Sequence, residues 1–128
     1  MKRKIIPSSK TIGIVGSRRR NTEEDFYKVY DQFTQLYKSN DIICSGLCPA
    51  GADYFAVLIA KKFKLETLWF PANWDKHGKA AGFIRNTDIA KASDILIACV
   101  HIDRTGGTED TIKKFIKFHS DRNLYLIY

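Results

Sequence analysis

Lys10 to Val15 is a short apolar run ending in Gly16-Ser17, the pattern of a buried strand that leads into a tight turn. Past Thr22, an N-cap with Asp25 three residues on, Phe26, Val29, Tyr30, Phe33, Leu36 and Tyr37 recur at helical spacing until Ser39-Asn40. Asp41 to Ser45 predicts a second strand, broken by Gly46. Pro49 to Gly51 precedes a helix whose buried stripe is Phe55, Ala56, Ile59 and Phe63. Glu66 to Phe70 predicts a third strand, which Pro71 ends, and the polar stretch Asn73 to Gly82 reads as a long loop before a helix around Ile84 to Ala92. Asp94 to Val100 is the most continuous apolar run, with no polar alternation, and so predicts a central strand covered on both faces. Thr105-Gly106-Gly107-Thr108 reads as another strand-to-helix turn. Ile112, Phe115, Ile116 and His119 mark one face of the last helix, and Leu124 to Tyr128 the final strand.

Five strands alternating with four helices predict an α/β fold: one Rossmann-like, three-layer domain around a five-stranded parallel sheet. The strand order expected is 3-2-1-4-5, with a switch point between strands one and four. A length of 128 residues fits one domain, residues 1–128, in which 1–9 form a basic N-terminal extension. No internal repeat or linker interrupts it.

Composition narrows the field only a little. No apolar run approaches the roughly 20 residues of a membrane span, and the expectation is a cytoplasmic protein without a membrane partner. Cys44, Cys48 and Cys99 match neither a four-ligand zinc pattern nor a redox CxxC, which predicts reduced, mostly buried thiols and no metal or cofactor. Lys+Arg 21 against Asp+Glu 14 gives a net charge of +7, which biases encounters towards nucleotides, nucleic acid and other polyanions. The excess sits in Lys2-Arg3-Lys4 with Lys10, in Arg18-Arg19-Arg20, and in Lys113-Lys114-Lys117, of which the middle cluster adjoins a candidate site.

Turns leaving the strands of a parallel sheet open on one edge, so Gly16-Ser17, Ser45-Gly46, Pro71 to Trp74 and His101 to Thr108 should converge, with Gly16-Ser17-Arg18 opposite Thr105-Gly106-Gly107-Thr108. Glycines let backbone N–H groups approach an anion, and a helix N-terminus adds unpaired donors and the positive end of its dipole. Ser17 and Thr108 add hydroxyls and Arg18 a charge. No Lys follows these glycines as in a P-loop, and Gly13-x-x-Gly16 is not the dinucleotide fingerprint. Arg85 is suited to a phosphate or carboxylate through its fork, or else to a local ion pair with Asp88, and Asn86 to a sugar hydroxyl. Trp74 fits stacking on a base or closure over the core rim.

Gly16-Ser17-Arg18, Gly46 with Gly51-Ala52-Asp53, Pro71-Ala72-x-Trp74-Asp75-x-x-Gly78-Lys79-x-Ala81-Gly82-x-x-Arg85-Asn86, and Gly107-Thr108 resemble the YspA-like branch of the SLOG superfamily. LOG-type phosphoribohydrolases and the DNA-processing protein DprA are in the same superfamily. The likeness runs from about Ile12 to Tyr128 and implies a nucleotide-binding Rossmann-like fold with Gly16, Ser17, Gly46, Asp53, Arg85, Asn86, Gly107 and Thr108 at the site. LOG enzymes resemble PGGxGTxxE at the fourth turn. In that alignment Arg85 matches their catalytic Arg, while Thr111 stands where the catalytic Glu belongs and Glu109 and Asp110 are out of step.

Three readings follow. The first is a protein that binds a nucleotide or nucleotide-derived signal, as a sensor or by sequestering it. The second is an N-glycosidic hydrolase or transferase in which Arg85 acts with Asp110, Glu109 or Asp53. The third is a DprA-like protein that binds single-stranded DNA. The superfamily resemblance also raises self-association, with the aromatic-rich first helix as the candidate interface.

Overall fold

Parallel pairing organises the chain around Thr11–Gly16 (β1), which lies between Ile42–Ser45 (β2) and Ile95–Cys99 (β4). Glu66–Trp69 (β3) extends the sheet beyond β2, and Leu124–Ile127 (β5) extends it beyond β4. The order is therefore β3-β2-β1-β4-β5, all parallel, as the alternation of elements predicts. These elements belong to a computed structural model that describes residues 9–128; Lys2-Arg3-Lys4 and most of the 1–9 extension lie outside the described residues.

Alternation along β1 divides the core into two layers. Ile12 and Ile14 face Glu23–Leu36 (α1) and Ala52–Phe63 (α2), where they pack with Val29, Phe33, Phe55 and Ile59. Val15, with Leu96 and Ala98, belongs to the other layer, built with Ile89 and Ala90 of Ala81–Ala92 (α4) and with Ile112 and Phe115 of Gly107–His119 (α5). All five residues of β4 are buried, which accounts for its unbroken apolar run. Each large apolar side chain buried this way contributes about 1.5–3 kcal/mol.

Local signals set the helix ends. The Thr22 side chain accepts from Asp25 N at 3.1 Å and the Asp25 carboxylate accepts from Thr22 N at 3.2 Å, a reciprocal cap on α1. At its other end α1 stops at Leu36, before the Ser39-Asn40 expected from sequence. Tyr37 turns to extended backbone, its ring stacked on Phe33 at 4.8 Å, and Asp41 accepts from Lys38 N. Most aromatics of α1 point inward: Phe33 is buried, and Phe26, Tyr30 and Tyr37 pack against the same core, leaving Tyr27 half exposed. The proposed α1 interface therefore offers few apolar groups to a partner.

The stretch Asn73 to Gly82 is not the loop its polarity suggests. Asn73 Oδ1 accepts from Lys76 N at 3.1 Å and starts a single helical turn, Trp74–His77 (α3), which Gly78 ends at φ +57°. A 3-10 turn, Gly78–Ala80, leads directly into α4, which starts at Ala81, three residues ahead of Ile84. Among the described residues no helix is long and apolar enough to cross a membrane.

Candidate functional site

A cleft of about 440 Å3 opens at the carboxyl edge of the sheet, between the ends of β1 and β4. Gly16, Ser17 and Arg18 form one wall, Thr105, Gly106, Gly107 and Thr108 the opposite one, and Asp53, Arg85 and Asn86 lie between them. The two glycine turns expected to face each other do so. The switch point is where the topology requires it, because the crossovers from β1 and β4 leave in opposite directions.

Arg85 is fixed by two hydrogen bonds. Its Nε donates to Asn86 Oδ1 at 3.0 Å and its Nη1 to the Gly46 carbonyl at 3.2 Å, which leaves Nη2 without a described partner. The alternative ion pair with Asp88 is not formed. Asn86 Nδ2 in turn donates to Gly107 O at 3.3 Å and to Asp110 Oδ2 at 3.1 Å, so one amide ties α4 to the first turn of α5 and orients the guanidinium. Both N–H donors of this buried amide are thereby used, and Oδ1 keeps one lone pair with which it could accept from a sugar hydroxyl.

Gly46 explains how Arg85 comes so near the sheet. A Cβ at this position would stand 2.5 Å from Arg85 Nη1 and 2.9 Å from Asp53 Oδ2, so only a bare backbone admits both groups. Ser45 lies beneath, buried, its hydroxyl donating to Ile14 O at 2.6 Å. Neither residue lines the cleft; both support those that do.

Asp53, at the start of α2, is buried, and Cys48 N donates to its Oδ2 at 3.0 Å. Burial pushes its carboxyl above the usual range, against the opposing pull of the Cys48 N–H and the positive charges of Arg85 and Arg18. The cleft thus combines a protonatable carboxyl with two arginines.

The wall opposite is a helix N-terminus without a side-chain cap. Gly106 takes φ +95°, a left-handed conformation that suits glycine, and starts α5 with no side-chain hydrogen bond to the first-turn amides. Gly107 has room around it: a Cβ there would meet only Asn86 Nδ2, at 3.6 Å. Thr105 spends its hydroxyl on Asp103 Oδ1 at 2.9 Å, whereas Ser17 Oγ accepts from Arg19 N at 3.2 Å and keeps its own proton to donate. Arg18 is exposed and donates no hydrogen bond to any described residue, although its charge reaches Asp53.

The other expected residues are placed differently. Trp74 is 56% exposed and borders a separate hollow with Pro71, Ala72, Asn73 and Asp75, with its ring 3.5 Å from where a Cβ of Gly82 would stand. It does not line the cleft. Asp110 Oδ2 accepts from Asn86 and, at 2.8 Å, from Lys114 Nζ, while Glu109 pairs with Arg104 at 2.8 Å. Neither carboxylate lines the cleft. Thr111 does, and its hydroxyl returns to Gly107 O at 3.1 Å within the helix.

The basic clusters also divide. Arg20 is structural: Nε and Nη2 donate to Asp25 Oδ1 at 2.9 and 2.7 Å, and Nη1 reaches the carbonyls of Val100 and Ile127 at 3.0 Å each, joining α1 to the ends of β4 and β5. Arg19 pairs with Asp103 at 2.8 Å, and Lys10 with the buried Asp41 at 2.9 Å. Arg19 and Cys48 line the cleft without having been expected there. Nothing in the local pattern distinguishes Cys48 from the buried thiols Cys44 and Cys99, both of which burial raises well above the ordinary thiol range, to about 12 and about 11.

Among the described residues no group of three or more His, Cys, Asp or Glu side chains could hold a metal ion. No protein-family model, curated protein or solved structure matches this chain.

Proposed function

We propose that the domain binds a nucleotide or a nucleotide-derived signalling molecule in the cleft between β1 and β4, as a sensor or by sequestering it. The observation that carries this reading is the placement of Arg85, held at Nε and Nη1, across from the uncapped first turn of α5. A phosphate between them would receive the charged Nη2 donors of a fixed guanidinium on one side and backbone N–H groups with a favourable dipole on the other. Ser17 and Arg18 would close the third side. The motif likeness to the SLOG superfamily supports the same reading.

Calorimetry with AMP and with inorganic phosphate tests it. Binding of AMP that falls at least tenfold in Arg85→Ala supports the proposal; heats indistinguishable from dilution at millimolar AMP, and with other nucleoside monophosphates, oppose it.

One observation favours hydrolysis as a second reading. Asp53, not Asp110 or Glu109, is the carboxyl within the cleft, and its raised proton affinity beside Arg85 suits a general acid for a departing base. Release of free base from nucleoside monophosphates, lost in Asp53→Asn, would move the assignment from binding to catalysis.

A further inference from the structure

The cleft has a wall of glycines, hydroxyls and arginines but no aromatic side chain. Trp74, the residue best suited to stack on a base, lies outside it. A nucleotide bound by its phosphate would therefore have to place its base elsewhere.

A second hollow of about 560 Å3 shares Arg19 with the cleft and opens on the same edge of the sheet, over the ends of β4 and β5. Its character is different. Val100 forms an apolar floor, Ile102 and Tyr128 border it at 93% and 72% exposure, and His101 adds a second ring. Arg20 also lines it, with four of its donors already committed to Asp25, Val100 O and Ile127 O, so what it offers a ligand is the flat face of its guanidinium. Ile102 sits on a loop held by the Asp103 contacts to Arg19 and Thr105, so its apolar surface is kept in place beside the hollow.

We infer that this second hollow is the base subsite: the nucleobase of a ligand whose phosphate occupies the cleft crosses over Arg19 and packs on Ile102, Tyr128 and His101. The inference rests on the proposed phosphate site. Both hollows hold arginines, the second adding Arg104 and Asp25 to its lining, but only the second offers large apolar side chains and rings to a base; that difference and the continuity through Arg19 support it. Stacking and apolar contact suit every base, so the subsite adds affinity for a base without strong choice among bases.

Calorimetry with inorganic phosphate, ribose 5-phosphate, AMP and UMP on the parent and on the double variant Ile102→Ala/Tyr128→Ala tests this. Both side chains are exposed, so the variant should keep the parent's melting curve. The parent should bind AMP and UMP about tenfold or more tightly than ribose 5-phosphate, and the double variant should reduce that advantage to about twofold while ribose 5-phosphate binding stays unchanged. Equal affinity of AMP and ribose 5-phosphate for the parent would overturn the subsite and leave the phosphate site standing. So would an AMP advantage that survives in the double variant. If none of the four probes binds the parent, the phosphate site itself fails and the subsite with it.

Discussion

Asn86 accepts from Arg85 Nε at 3.0 Å and, through its own amide N–H groups, holds Gly107 O at 3.3 Å and Asp110 at 3.1 Å. A single buried side chain thus fixes both the guanidinium and the helix end that faces it across the cleft. Arg85→Ala should weaken AMP binding by roughly ten- to a hundredfold, since a hydrogen bond to a charged group is worth about 1.5–3 kcal/mol. Arg85→Lys should not restore it, because a single ammonium nitrogen cannot stand at once where Nε meets Asn86, where Nη1 meets Gly46 and where Nη2 faces a ligand. Full recovery of affinity in the lysine variant, measured by calorimetry, would show that the fixed guanidinium is not needed.

Gly46→Ala places a methyl group against Arg85 Nη1 and Asp53 Oδ2. The arginine is the more mobile of the two and should be displaced, so AMP binding should fall by roughly tenfold while the melting temperature drops by only a few degrees. A variant with parent-like binding would show that the position of Arg85 under the cleft does not matter.

Arg18 and Arg20 are two residues apart and should behave oppositely. Arg20→Ala breaks contacts to Asp25, Val100 and Ile127 at once and should cost about 3 kcal/mol or more, read by urea denaturation. Arg18→Ala should leave the denaturation midpoint unchanged and reduce the affinity for AMP.

Asp53 sets a pH dependence of stability whose sign follows from its raised proton affinity. In the unfolded chain it ionises near its ordinary value of 3.8, in the folded chain at higher pH, so stability falls as pH rises through the interval between the two. Asp25 and Asp41 act in the reverse sense: each is held below 3.8 by its partners, chiefly Arg20 and Lys10, though burial opposes them, so their stabilisation is present above 3.8 and lost as pH falls below it. Asp53→Asn keeps an acceptor for Cys48 N and removes the buried charge. Its melting temperature at pH 7 should equal or exceed the parent's, with the gap closing on acidification towards pH 4; a variant much less stable at pH 7 would contradict the argument.

Much of this fold was legible because its cause is local or periodic. The continuous run Asp94 to Val100 announced a strand buried on both faces, and the order of elements then fixed the sheet and its switch point. The glycine turns at Gly16 and Gly106-Gly107 followed from that placement. What the sequence concealed depends on contacts between distant residues. Arg20 meets Val100 and Ile127 across separations of 80 and 107 residues, so in sequence it looks like any member of a basic cluster. That Asn86 braces α4 against α5, besides lining the cleft, emerges only once α5 lies beside it. Trp74 lies at a hollow apart from the cleft, on a short helix that the Asn73 cap starts within the stretch whose polarity suggests a loop.

The most direct measurement is an amide-resolved 1H–15N titration of the whole chain with AMP. The account predicts saturable shifts at Ser17, Arg18, Gly106, Gly107 and Thr108, with the Arg85 side-chain Nε signal moving in step. Shifts confined to other surfaces, or none at millimolar AMP and with other nucleoside monophosphates, would contradict it.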